Sequence, residues 1–183
     1  MNKVILYIAT SQDGFIADED GNVDWLPQPN NEGELAAVLA HEISHIAQRH
    51  LARHMEKNKR LLPLSIMEAV AGIALGVPDL AIAAMAGHYQ QVINYTREFE
   101  KEADRVGIRV LAKAGYNPQN MANIFYRMQQ DARYDDKPPE YLVTHPLYEN
   151  RISDARNRAS SYPYTQDLSS LDYHLVKARV KAL

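Results

Sequence analysis

The residues of this chain whose types and spacing can do chemistry are His41-Glu42-Ile43-Ser44-His45. On an α-helix, residues four apart project from one face, a turn above one another. Two imidazoles so placed can share one tetrahedral ion, and Zn²⁺ with nitrogen and carboxylate ligands is the usual occupant. The Glu42 carboxylate then lies beside the ion, where it can take a proton from a bound water. This is the donor pattern of a zinc peptidase, and the reaction it implies is hydrolysis of an internal peptide bond.

Such a site needs a third protein ligand and keeps one position open. A second long helix offers Glu98, Glu100 and Glu102. Glu100 is the strongest candidate, because Asp104 lies one turn on along its face and can bind the outer nitrogen of a ligating His. Glu98 and Glu102 sit about 200° around the helix from Glu100 and should face elsewhere. A bare His-x-x-x-His pair is more often solvated or packed than bound to metal. The adjoining Glu42 and the apolar flanks Ala36 to Ala40 and Ile43 reverse that, since so apolar a helix would not bury these groups without a compensating partner. His50 and His54 share the spacing but lie amid Arg49, Arg53, Glu56 and Lys57, the composition of a solvated face. His88 and His174 have no identifiable partner. His145 stands at a helix start after a long loop, where mobile site-covering elements are often found, and a simple loop histidine fits equally well.

The elements that must position these residues are mainly α-helical. A first helix starts at Asn31, whose side chain caps it while Glu34 reaches back. Its apolar repeat, Leu35, Val38, Leu39, Ile46 and Leu51, runs to about Lys57. The spacing predicts a second helix from about His88 to Ala114, stopped by Gly115 in the left-handed cap position. Asn117-Pro118 opens a third, with Asn as N-cap and Pro at the first helical position. Asp135 to Thr144 holds Pro138-Pro139 and is expected to be a loop. Pro146 should open a fourth helix through Arg158, and Leu171 to Ala182 a last one. Upstream, Val4–Thr10, Asp13-Gly14 and Asp20-Gly21-Asn22 have strand and turn character, predicting a short β-hairpin. The two regions meet near Pro27-Gln28-Pro29, which divides the chain into 1–29 and 30–183.

At 183 residues the chain can build one good hydrophobic core. A formal charge of -3 gives no electrostatic reason to expect nucleic acid. With no cysteine, disulfides and thiolate zinc sites are excluded. Met1-Asn2-Lys3 and the short apolar run Val4 to Ala9 do not make a signal peptide. Leu61 to Gly87 is apolar but broken by Pro63, Glu68, Pro78 and Asp79, short of the roughly 18 to 20 residues that span a bilayer. The expectation there is a buried or interfacial helical hairpin, open to membrane-surface contact.

Asn31 to Leu183 resembles the peptidase domain of the HtpX-like and CAAX-prenyl-protease-like zinc metallopeptidases, in particular the periplasmic BepA-type branch. The likeness rests on Glu34-Leu35-Ala36-Ala37-Val38-Leu39-Ala40-His41-Glu42-Ile43-Ser44-His45, on Glu100-Lys101-Glu102-Ala103-Asp104-Arg105-Val106-Gly107, and on Thr144-His145-Pro146-Leu147-Tyr148-Glu149-Asn150-Arg151. The resemblance implies zinc on His41, His45 and Glu100, Glu42 as general base, and Asp104 in support. It places Arg151 near the substrate carbonyl or a structural partner, and makes His145 a metal cap on a loop that must move. It also implies a periplasmic location, polypeptide substrates among misassembled envelope proteins, and association with the outer-membrane assembly machinery.

The resemblance carries two departures. The signal peptide and upstream substrate-holding strand of that branch are not recognisable, and no helical-repeat domain follows the peptidase region. Met1 to Leu26 instead resembles the opening of the dihydrofolate-reductase-like family that includes the RibD C-terminal domain, through Val4 to Ser11, Asp13 to Ala17 and Asp24-Trp25-Leu26. It covers only a first hairpin, so no nicotinamide cofactor is expected, and the chain looks like a join of two genes. A missing substrate strand makes a metal-binding but proteolytically silent adaptor or chaperone the main rival reading.

Overall fold

A computed structural model of the chain describes residues 29–134, 141–142, 145–148, 150–166 and 169–181. The helices defined among the described residues are α1 (Glu32–Ala47), α2 (His50–Ala74), α3 (Pro78–Lys113), α4 (Asn120–Tyr134), α5 (Arg151–Ala159) and α6 (Leu171–Lys181). No strand occurs among the described residues. The expected N-terminal hairpin and its reductase-like likeness fall on residues outside them.

Helix α1 begins as its sequence dictates. Asn31 Oδ1 accepts the Glu34 N–H at 2.8 Å, and Glu34 Oε2 takes the Asn30 N–H at 2.7 Å. Its end differs from expectation. The single helix expected to reach Lys57 breaks after Ala47, because Arg49 takes the left-handed conformation, with φ 55°. Left-handed backbone is costly for a residue with a Cβ, so packing on either side must hold it there.

The buried face of α1 also differs from the apolar repeat. Ala37, Ala40, His41 and Ser44 point inward, whereas Leu39 and Ile43 are each 49% exposed and Leu35, Ile46 and Leu51 lie outside too. The reason is steric: α1 packs on α3, and only small side chains permit that approach. Gly107 of α3 lies against Ala40 at the contact. The core proper is built by Ile108 and Leu111 of α3, Met121, Ile124, Phe125 and Met128 of α4, and Ala155 of α5.

Helix α3 begins at Pro78, ten residues before the expected start at His88, and packs along α2. Its end is the expected one. Gly115 has φ 84°, and the Tyr116 and Gly115 N–H groups return to the Leu111 and Ala112 carbonyls at 3.1 and 3.2 Å. Asn117 Oδ1 caps the Gln119 N–H at 3.0 Å, and α4 follows two residues after Pro118. Of the expected loop over 135–144, residues 135–140 lie outside the description, while Tyr141 and Leu142 have helical backbone. Residues 146–148 are not helical, so the fourth expected helix starts at Arg151 instead of Pro146.

Leu61 to Gly87 does form a helical hairpin, the end of α2 and the start of α3, with Pro63 inside α2. It is not buried: Met67, Ile73, Leu75 and Ile82 are all largely exposed. No helix among the described residues is long and apolar enough to cross a membrane.

Candidate metal centre

One turn of α1 and one turn of α3 face each other across the small-residue contact, and their polar side chains converge. His41 Nε2 and His45 Nε2 lie 3.0 Å apart. Glu100 brings Oε2 to 3.4 Å from His41 Nε2 and Oε1 to 3.2 Å from His45 Nε2. His145, reaching in from the segment before α5, places Nδ1 3.3 Å from His41 Nε2 and 3.1 Å from Glu100 Oε1. One donor atom from each of these four residues lies within 4.8 Å of the others.

Four converging donors, three imidazole nitrogens and a carboxylate oxygen, suit a tetrahedral zinc ion. Two imidazole nitrogens at 3.0 Å can share only one proton, so further lone pairs converge on the same space. The charge balance points the same way. Glu100 and Asp104 are both buried acids, and one buried guanidinium, Arg151, serves them both. One negative charge is therefore left over for a cation.

The acids and imidazoles of the cluster shift one another's proton affinity. Burial by itself would push the His41 imidazole down, but Asp104 and Glu100 outweigh it and raise the pKa from 6.5 to about 9. Burial would push Glu100 up, yet His145, His41 and His45 hold it well below the usual carboxylate range. Asp104 is likewise held low against its burial, by His41 and by Arg151.

The match to known sequences fits this donor set. Residues 18–159 match the profile of Peptidase family M48. The chain belongs to peptidase family M48. It is 51% identical over 159 residues to a Vibrio cholerae protein provisionally named a beta-barrel assembly-enhancing protease, covering 83% of this chain and 33% of that one. With the beta-barrel assembly-enhancing protease of Escherichia coli (strain K12) it shares 46% identity over 156 residues, 82% of this chain and 32% of the relative. The mitochondrial metalloendopeptidase OMA1 of Arabidopsis thaliana is more distant, 31% identical over 121 residues, 66% of this chain and 23% of that protein. The chain spans about a third of the length of the assembly-enhancing proteases it matches. The family match begins upstream of the boundary placed near Pro27, inside the segment read as reductase-like.

Around this M48 centre, each remaining candidate has a definite place. Glu42 stands beside the donor cluster and outside it, its Oε1 3.6 Å from His145 Nε2. Asp104 Oδ1 lies 2.9 Å from His41 Nδ1, behind the first imidazole as its spacing from Glu100 predicts. Arg151 is 2% exposed. It grips Asp104 through Nε and Nη2, each at 2.8 Å, and its Nη1 lies 2.8 Å from Glu100 Oε2 and 2.9 Å from the Pro146 carbonyl.

Two residues escaped the sequence reading. Tyr141 is buried, stacks on the His145 ring at 4.6 Å between centroids, and donates its hydroxyl to Glu42 Oε1 at 3.0 Å. Burial and the Glu42 charge push its phenol well above 10.0. Nothing local in Glu140-Tyr141-Leu142 signals this. His50, assigned to a solvated face, is 3% exposed: it stacks on Phe99 and its Nδ1 sits 2.9 Å from His45 Nδ1. Burial and the neighbouring His45 lower its pKa. Glu102 faces away from the cluster as predicted, and binds His50 and Arg53. A cleft of about 760 Å³ opens beside the centre, lined by Glu42, His45, Ile46, Leu51, Phe99 and His145 among others.

Proposed function

We propose that residues 30–183 form the zinc-dependent endopeptidase unit of this M48 protein. The observation that carries the reading is the convergence of His41, His45, Glu100 and His145 with Glu42 alongside. His41, His45 and Glu100 hold zinc, and Asp104 supports His41 from behind. Bound zinc supplies a Lewis acid and a water whose pKa falls toward about 7.

The chain's own groups then do the proton work. Glu42 is the general base: it accepts the water's proton and passes it to the leaving nitrogen. The Tyr141 hydroxyl holds Glu42 Oε1 in place for this transfer. Arg151 acts through Glu100 and Asp104, keeping both carboxylates aimed and ionised. With zinc on His41, His45 and Glu100, His145 would be the nearest further donor, and it would have to withdraw for a substrate carbonyl to reach the ion.

The substrate class is unfolded or misassembled envelope polypeptide, and the likeness to assembly-enhancing proteases supports a periplasmic role beside the outer-membrane assembly machinery. The uncovered apolar tip of the α2–α3 hairpin supports a membrane-surface contact. A second reading, a silent metal-binding adaptor, draws on the same closed His145. One experiment separates them: digestion of unfolded casein, with and without a zinc chelator, by wild type and Glu42→Gln. Chelator-sensitive cleavage that Glu42→Gln loses while keeping its zinc supports the peptidase. Cleavage by Glu42→Gln at the wild-type rate sinks it.

A further inference from the structure

We infer that His50 is a positioning residue that fixes the tautomer of His45, with Glu102 as its anchor. This rests on the zinc reading above. His45 turns Nε2 toward the donor cluster, so its outer nitrogen is Nδ1, and that atom is 2.9 Å from His50 Nδ1. The opposite nitrogen of His50, Nε2, lies 3.3 Å from Glu102 Oε2. Glu102 is itself held by the Arg53 guanidinium, Nη1 to Oε2 at 2.8 Å.

Proton positions along this row follow from donor rules. An ionised carboxylate only accepts, so the His50 proton sits on Nε2. His50 Nδ1 is then bare and must accept, which puts the His45 proton on Nδ1. His45 Nε2 is therefore left with its lone pair toward the cluster. The reverse arrangement would put a proton on His45 Nε2 and close it to metal. The ring of His50 is itself immobilised by stacking on Phe99, 4.7 Å between centroids at 17°.

The left-handed Arg49 makes the contact possible. On an unbroken helix, residues five apart would point about 140° away from each other. The break at Arg49 swings the start of α2 back beneath α1, so His50 reaches His45 from behind. With it, each of the three ligand side chains has its own support: Asp104 for His41, Arg151 for Glu100, and His50 for His45.

The test is zinc affinity of the full chain, measured by competition with a chromophoric chelator, for wild type, His50→Asn and His50→Leu. The two substitutions are close in size, but only Asn offers an oxygen where His50 Nδ1 accepts. A merely packed residue would tolerate Leu better than Asn. Positioning predicts the reverse: His50→Leu binds zinc about 10- to 100-fold more weakly, and His50→Asn stays close to wild type. The absorption bands of the cobalt-loaded protein should shift in His50→Leu and hold in His50→Asn. Wild-type affinity in His50→Leu, or weaker binding by His50→Asn than by His50→Leu, overturns the inference while the zinc site stands. A wild-type chain that takes up no zinc overturns both. Should His50→Leu fail to fold by circular dichroism, Glu102→Ala takes its place: it releases the His50 tautomer and should weaken zinc several-fold, and unchanged affinity there is an overturning result.

Discussion

A β-carbon on Gly107 of α3 would lie 3.3 Å from the carbonyl of Ala40 on α1 and 2.8 Å from Met121 Cε. Ala40 precedes His41, and Gly107 is two helical turns past Glu100, so this contact sets the separation of the two helices that carry the donors. A larger residue must push them apart and shift the end of the Met121 side chain.

Gly107→Val should therefore lose zinc without touching a ligand. Overpacking of this kind costs about 1–3 kcal/mol. Urea denaturation should show that loss in the metal-free protein, and zinc titration a larger penalty than the stability change alone explains. Wild-type zinc affinity in this variant would mean that the helix separation does not tune the site.

Arg151→Met should act on stability before it acts on turnover. It leaves the buried Glu100 and Asp104 carboxylates without their cation, and stripping one partner from a buried ion pair typically costs about 3–5 kcal/mol. Zinc should restore part of the loss by supplying positive charge. If denaturation midpoints are unchanged and only kcat/KM falls, Arg151 meets substrate instead.

His145→Ala removes the fourth donor and the ring on which Tyr141 stacks. The expected outcome is faster casein digestion with zinc bound more weakly. Tyr141→Phe should slow digestion, because the Tyr141 hydroxyl holds the Glu42 carboxylate that takes the proton. A His145→Ala protein that binds zinc as tightly as wild type would show that the imidazole is not a fourth ligand.

The pH dependence of the metal-free chain has two limbs. His41 has a folded pKa of about 9 against 6.5 when unfolded, so its contribution is complete below pH 6.5 and disappears as pH rises through about 9. Glu100 and Asp104 are lowered from 4.5 and 3.8, so theirs is present above those values and disappears as pH falls through the depressed ones. Denaturation midpoints should be highest between pH 4.5 and 6.5 and decline toward pH 9. His41→Gln should flatten the alkaline decline. Zinc affinity should rise with pH up to about 9, since the metal must displace the His41 proton.

What the sequence determined by itself is local chemistry. His41 and His45 share a face because they are four apart on one helix, and Asp104 follows Glu100 at the same interval on another. The caps at Asn31 and Gly115 are equally local, since each is settled by one residue's side chain or its lack of one. Only the tertiary structure decided which surface of α1 is buried. Leu39 and Ile43 carry the hydrophobic signal, but the face turned inward is that of Ala37, Ala40, His41 and Ser44. It also decided the place of His50, because the left-handed Arg49 turns it toward His45 in spite of the charged neighbours on which its solvated reading rested. Tyr141 and Arg151 belong to the same class. Their partners, Glu42 and Asp104, are far away in the chain, and no spacing rule reaches across contacts that exist only once the helices have packed.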